Sequence, residues 1–431
     1  MDIECDVLIV GTGIAGLYSA LNLRDNLKIA LVSKGDITQT NTYLAQGGIA
    51  TAKDASDKPS FIEDTLRAGN YKNDLTAVRI LADESIENIK KLIELGVDFD
   101  KSDDDLLYTR EGAHSTNRIV HHKDYTGKEV ADALIERVLK RKNIKIYKNF
   151  YLCDLITQNN RCLGGIFIKE NKQINIFSKF TILATGGIGG LFKNSTNQRI
   201  LTGDGLSIAV KNSIKLKDIQ YIQFHPTAFY ENTNERRFLI SESVRGEGAY
   251  LLNSKGERFV DELLPRDEVS SKIYSEMKKT NSPCVYLSLS HLNSSYVKHR
   301  FPKIYSECLK RGIDITKDSI PVAPAQHYFM GGIEVDLYSK TSMENLFATG
   351  EVSCTGVHGE NRLASNSLLE GLVFSKRAAN YINNLSDKTL LKKVSPKIIT
   401  DFEMVKRENL KIAIDLIKEK RWDLKDELIS H

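Results

Sequence analysis

The stretch Asp6-Val7-Leu8-Ile9-Val10-Gly11-Thr12-Gly13-Ile14-Ala15-Gly16-Leu17 decides the fold. Residues 6–10 are an apolar run of strand length, and Ile14, Leu17 and Leu21 then recur at helical spacing. Between them Gly11, Gly13 and Gly16 follow the G-x-G-x-x-G pattern. These glycines permit a tight turn, close approach of a diphosphate to the backbone, and packing of helix on strand. Residues 28–33 return as a second apolar strand. Such a strand-helix-strand start predicts an α/β chain with a doubly wound, largely parallel sheet and a nucleotide at the carboxyl ends of its strands. The acidic residue that reads a ribose about 20 residues further on in NAD enzymes is missing. The second strand runs instead into Ser33-Lys34-Gly35. This counts against NAD and leaves FAD open, since a serine hydroxyl can meet a ribose or phosphate oxygen and Lys34 brings positive charge near a diphosphate.

Two later segments share the character of the first strand. Residues 180–187 (FTILATGG) and 345–351 (NLFATGE) are apolar runs ending in Thr-Gly, one on each side of a long middle region. If both join the first sheet, the middle is an insertion that returns to its starting domain. The predicted organisation is a dinucleotide-binding domain over 1–218, an inserted α+β capping domain over 219–333, the rest of the first domain over 334–390, and a short helical tail over 391–431. Within the cap, residues 268–279 read as a helix. In the tail Phe402, Val405, Leu410, Ala413, Leu416 and Ile417 form one apolar stripe, too little for a core of its own.

Composition narrows the function class. The 431 residues are 41% hydrophobic, enough for two cores, and 60 basic against 56 acidic side chains leave a net charge of +4. Nothing global points to nucleic acid or to an anionic membrane. The six cysteines are scattered without a C-x-x-C pair, and His121-His122 lacks further ligands nearby, so no metal site is expected. The first residues lack a basic, then apolar, leader, and no apolar run approaches the ~18 residues of a membrane span. The expected compartment is the cytoplasm.

A series of further motifs follows in order: Asn41 to Ala50 (NTYLAQGGIA), Ala184-Thr185-Gly186-Gly187, Thr202-Gly203-Asp204-Gly205, Gln223-Phe224-His225-Pro226-Thr227, Glu242-Ser243-Val244-Arg245-Gly246-Glu247-Gly248, Pro265-Arg266-Asp267, His327-Tyr328-Phe329-Met330-Gly331-Gly332 and Asn361-Arg362-Leu363-Ala364-Ser365-Asn366-Ser367-Leu368. This ordered set resembles the flavoprotein superfamily of succinate dehydrogenase and fumarate reductase over residues 1–385. Two places make the chain most similar to the L-aspartate oxidase family within it. Asn41 stands where the respiratory flavoproteins place the histidine bonded covalently to FAD, and asparagine cannot form that bond. Thr109-Arg110-Glu111-Gly112-Ala113-His114-Ser115 resembles the stretch whose glutamate faces the substrate amino group.

The resemblance implies FAD contacts at Gly11, Thr12, Gly13, Ile14, Ala15, Gly16 and Lys34, along the loop Asn41, Thr42, Tyr43, Leu44, Ala45, Gln46, Gly47 and Gly48, and at Asp204, Glu351, Ser367 and Leu368. Asp204 and Glu351 would accept hydroxyl hydrogen bonds, and a helix beginning near Ser367 would point its dipole at the flavin. Tyr43, Phe224 and Tyr328 read equally well as packing residues or flavin neighbours.

A dicarboxylic amino acid needs cations or donors at both ends and an anion between them. The resemblance supplies His225, His327 and Arg362 for the carboxylates and Glu111 for the ammonium, places Ser241 and Glu242 on the loop that captures substrate, and adds Gln223 to the substrate contacts. Arg266 is the implied proton-transfer residue. An arginine needs a relay for that, and Asp267 or Glu247 would provide one. His114 would support the site from behind, and Gly246 and Gly248 flank a hinge for cap closure.

The implied reaction is oxidation of L-aspartate to iminoaspartate with oxygen or fumarate as acceptor, the first step of NAD biosynthesis, with a transient hand-off to quinolinate synthase. The alternatives are a soluble fumarate reductase or succinate dehydrogenase-like enzyme, against which Asn41 and Glu111 speak, and a scaffold that kept the fold without chemistry. The family usually carries a longer helical carboxyl-terminal region, so oligomeric state and docking are the properties most open here.

Overall fold

The first strand, Asp2–Val10, runs parallel between Ile29–Val32 and Lys172–Leu183, with Val7 opposite both Ile29 and Phe180. The computed structural model describes residues 2–103, 105–233 and 235–429. Ile144–Tyr147 extends the sheet beyond Ile29–Val32, again parallel. On the other side Lys172–Leu183 serves two partners. Its first half pairs antiparallel with Arg161–Lys169, and its last residues pair parallel with Leu346–Ala348. The two Thr-Gly segments read from the sequence therefore lie side by side in one sheet.

The sheet is buried on both faces, as apolar runs without alternation require. On one face Val7, Ile9, Leu31, Phe180 and Ile182 pack against the helices Ile14–Asn22, Thr126–Lys140 and Asn366–Leu385 through Leu17, Tyr18, Leu134, Leu369 and Leu372. On the other, Leu8, Val10, Ala30 and Val32 meet Phe150, Leu152 and Ile208.

The inserted region forms its own antiparallel sheet, in the order Ile222–Phe229, Ile320–Phe329, Val285–Ser288, Tyr250–Leu252. The helix Arg266–Thr280 begins directly after Pro265, which has no N–H to leave unpaired at a helix start, and buries Val269 and Ile273 beside Leu287 and Val322. The fold is thus an FAD-binding α/β unit with an α+β insertion.

The tail helix Phe402–Lys420 docks on Asp204–Lys211. Ala413, Ile414 and Ile417 share a core with Ile188, Leu191 and Leu206. Buried Asn409, a polar residue in mid-helix, is satisfied by donating to the Cys153 carbonyl at 3.1 Å and accepting from Lys211 at 3.1 Å. Among the described residues no helix is long and apolar enough to cross a membrane, and no group of three His, Cys, Asp or Glu stands close enough to hold a metal ion. His121 lies 3.0 Å from Asp100 instead.

Candidate active site

One cleft runs from the glycine turn to the insertion, so a dinucleotide can lie at one end and a substrate at the other. At its nucleotide end Gly11 has φ +122°, and a Cβ there would stand 1.9 Å from the Ala184 carbonyl oxygen. Only glycine fits where two strand ends meet so closely. Thr12, Gly13, Ile14 and Ala15 line the cleft, as do Asn41, Thr42, Leu44, Ala45, Gln46, Gly47 and Gly48. Gly16 and Tyr43 do not. Gly16 lets the Gly11 carbonyl approach the helix, and the Tyr43 ring lies under the Lys128 ammonium at 5.4 Å.

The fit to FAD rests on what these walls offer. Buried Gln46 Oε1, Thr185 Oγ1 and Thr349 Oγ1 have no hydrogen-bond partner among the described residues, and all three residues face the cleft. Buried polar atoms normally have partners, so the cleft is built for a polar ligand. The helix Asn366–Leu385 starts there, with Ser367, Leu368 and Gly371 on the wall. Lys34 and Asp204 also face the cleft, but they pair with each other at 2.9 Å, which offsets much of the charge expected to meet the diphosphate. Glu351 accepts from the Phe329 N–H at 3.1 Å, and burial raises its pKa to about 7. Asn41 donates to Asn197 and accepts from the Gln198 N–H at 3.0 Å.

Glu111, His225, Ser241, Glu242, Arg266, His327 and Arg362 converge at the other end. Gln223 stands behind them. Its Oε1 accepts from Arg266 Nη1 at 3.0 Å, and its Nε2 donates to the Arg362 carbonyl at 2.9 Å. It orients two arginines and does not itself line the cleft. Arg266 donates through Nε to Glu242 Oε2, while Arg245 holds the other Glu242 oxygen at 3.1 Å.

This corrects the expected relay. Asp267, the next residue on the same helix, points elsewhere and accepts from Asn361 at 2.8 Å. Glu247 is engaged by Arg300 at 2.8 Å. Gly246, read as part of a hinge, packs so tightly that a Cβ would stand 2.4 Å from the Arg110 carbonyl oxygen.

Burial sets the electrostatics. It works against charge on Glu242, but Arg266 and Arg245 outweigh it and hold the carboxyl below the usual range. Glu111 goes the other way: burial and the Glu242 charge raise its pKa. Burial, together with Arg266, keeps His225 and His327 well below the ordinary imidazole value, hence neutral. Arg362 lies over the Tyr328 ring at 4.7 Å, and burial, then Arg266, lowers its pKa to about 9. Phe224 packs edge-on against Phe192.

The loop carrying Glu111 is braced from below. Ser365 donates to Glu111 Oε2 at 2.6 Å. His114 Nε2 lies 3.0 Å from the Ala364 carbonyl, which only accepts, so that nitrogen carries the proton. Fully buried Arg118 reaches His114 Nδ1 at 3.3 Å, Asp57 at 3.0 Å and Asp64. Arg118, Thr196, Asn197 and Ser365 escaped notice as individual residues in the sequence. The only signal for Thr196 and Asn197 is the polar run 194–197 a few residues before the Thr202-Gly203-Asp204-Gly205 motif.

The doubly wound sheet, its glycine turn and the charged cleft under an inserted cap define an FAD-dependent oxidoreductase, and residues 6–368 match the FAD binding domain family. A FrdA chain of E. coli quinol fumarate reductase superposes with a TM-score of 0.85 at 28% identity, over 97% of this chain and 75% of that one. An L-aspartate oxidase of Clostridium perfringens is 58% identical over 99% of this chain and 97% of its own length. The chloroplastic L-aspartate oxidase of Arabidopsis thaliana is 39% identical over 98% of this chain and 69% of its own. The chain belongs to the L-aspartate oxidase family. Its cofactor is FAD.

Proposed function

We propose that this chain oxidises L-aspartate to iminoaspartate, with oxygen or fumarate taking the electrons, as the first step of NAD biosynthesis. The observation that carries the reading is the charge balance of the cleft. Three buried guanidiniums, of Arg245, Arg266 and Arg362, surround two carboxylates, of Glu242 and Glu111. With both carboxylates ionised the cluster carries one positive charge, which matches the single negative charge of aspartate. Protonating Glu111 leaves two positive charges, which suits a dianion such as fumarate or succinate.

Each residue then has a role. Arg362, His225, His327 and Ser241 hold the carboxylates, and Glu111 takes the ammonium. When bound, FAD supplies the two-electron acceptor for the hydride that leaves the substrate Cα. The proton that leaves the substrate passes through Arg266, whose guanidinium gives its Nε proton to Glu242 as it takes the substrate's, so its charge is unchanged. The cap keeps water from the product, which hydrolyses readily.

The test is anaerobic mixing of holoprotein with L-aspartate. Bleaching of the flavin, and peroxide release in air, are expected with aspartate and much weaker bleaching with succinate; the reverse preference would select the fumarate reductase-like alternative. By the same reading the enzyme works in the cytoplasm, in keeping with six unpaired buried thiols, and its product passes to quinolinate synthase. Faster quinolinate formation than free diffusion of iminoaspartate allows would support that hand-off.

A further inference from the structure

The two imidazoles of the cleft are held differently at their second ring nitrogens. His225 Nδ1 lies 3.2 Å from the backbone N of Thr227, a group that can only donate. The His225 proton therefore sits on Nε2, which is buried without a partner among the described residues. His225 is a neutral donor whose tautomer is set by the main chain.

For His327 the partner of Nδ1 is a hydroxyl, Thr196 Oγ1 at 2.7 Å. A hydroxyl holds one proton and can donate or accept. If Thr196 accepted here, His327 Nε2 would carry a bare lone pair, which repels a carboxylate. The competing acceptor for the Thr196 proton is the Gln326 carbonyl at 3.4 Å. That oxygen already receives the Thr196 N–H at 3.0 Å. At 3.4 Å, to an oxygen already paired, that bond is weak, so little is lost when the hydroxyl turns its proton to His327. Burial and the charges of Arg266 and Arg362 keep the His327 ring neutral, so its tautomer decides what it offers.

The geometry points to Thr196 as a positioning residue for substrate recognition: its hydroxyl donates to His327 Nδ1 and keeps the ring proton on Nε2. His225 and His327 then present two N–H donors to one carboxylate of a dicarboxylate substrate. This assignment rests on the cleft being the L-aspartate site. Thr196 is well placed to act, because its neighbours tie it to the same strand. Ser195 donates to Gln326 Oε1 at 2.8 Å, and Asn197 donates to the His327 carbonyl at 2.9 Å. Asn197 also accepts from Asn41, so one short segment holds both the flavin-side loop and the substrate histidine.

The experiment compares wild type, Thr196→Val and Thr196→Ser as holoproteins, with FAD content as the check on folding. Thr196→Val keeps the shape and loses the hydroxyl. It should raise KM for L-aspartate about tenfold, as loss of one hydrogen bond in a charged site does, with a smaller change in kcat. Thr196→Ser should restore most of that affinity. A structural role alone would lower FAD content or kcat and would not be rescued selectively by serine.

The ¹⁵N spectra of labelled histidine, with the His327 signals assigned from His327→Gln, read the tautomer directly. Protonated Nε2 and bare Nδ1 are expected in the wild type. A wild-type His327 protonated on Nδ1, or a Thr196→Val holoprotein with unchanged KM, overturns the proposal. If wild type fails to oxidise L-aspartate, the functional reading falls, and the ¹⁵N spectrum still decides the tautomer.

Discussion

Arg266 donates through Nε to Oε2 of Glu242, and both side chains are buried at the wall of the cleft. Neither the helix neighbour Asp267 nor Glu247 makes this contact. Arg266→Leu should therefore cut turnover by ~10²–10⁴, the usual contribution of a positioned acid or base, with FAD still bound. Glu242→Gln should lose activity as well, because it removes the charge facing both Arg266 and Arg245. Near-normal steady-state rates in the leucine variant would end the assignment.

Glu111 couples substrate choice to pH. Its pKa is raised by burial and by Glu242, and pairing with an ammonium requires its ionised form. Affinity for L-aspartate should therefore rise with pH above the usual carboxylate range, while affinity for succinate and fumarate falls. Glu111→Gln should weaken aspartate binding ~10–100-fold, leave dianion binding intact and flatten both profiles. KM measured across pH for both substrate types checks this.

The carboxyl of Glu351 should make flavin binding sensitive to pH near neutrality. Its pKa is raised from 4.5 to about 7, so the folded apoprotein holds a proton that the unfolded chain releases at lower pH. Its contribution to apoprotein stability is full below about 4.5 and is lost as pH rises through about 7. A flavin hydroxyl donating to this carboxylate favours the ionised form. FAD affinity should accordingly increase with pH through neutrality, by at most about tenfold per unit, and Glu351→Gln should abolish the trend. Fluorescence titration of apoprotein with FAD at several pH values gives the answer.

Asn41 has an amide where covalent attachment needs a nucleophilic nitrogen, and that amide is already bonded to Asn197 and Gln198. Precipitating the holoprotein with acid should leave all the yellow colour in the supernatant. Flavin that stays in the pellet would contradict non-covalent binding.

Arg118 is fully buried between Asp57 and Asp64. Arg118→Met leaves buried Asp57 without a cation and Asp64 with only the half-exposed Arg67 at 2.6 Å, and should cost about 3–5 kcal/mol of stability, read from denaturant unfolding of the holoprotein. Because Arg118 also braces His114, the same variant should weaken aspartate binding in the fraction that folds.

The glycine turn and the two Thr-Gly strands were legible because their signals are local: strand length, helical spacing, and glycines where backbones must meet. The substrate end was legible as an ordered set of motifs, yet not as contacts. Which carboxylate faces Arg266 depends on how the helix Arg266–Thr280 is rotated against the short helix Glu242–Gly246, and no spacing within either motif carries that angle. Arg118 was invisible for a related reason. Its partners lie 61 and 54 residues earlier, and a lone arginine in a polar stretch reads as surface. Gln223 was grouped with the substrate contacts, whereas it stands one step back, bonded to Arg266 and to the Arg362 carbonyl.

The sheet order places Asp2–Val10, the first strand made, beside Lys172–Leu183, which itself waits for Leu346–Ala348. At ~5–20 residues per second, on the order of ten seconds or more separate the birth of the first strand from that of its central neighbour. Throughout that interval a strongly apolar ribbon has no permanent partner on that edge, and the glycine turn has no opposite wall. The cleft exists only after Gly371, its last lining residue, has left the ribosome. Flavin capture therefore cannot precede the emergence of Gly371, and ribosome-bound chains that stop short of it should retain no FAD.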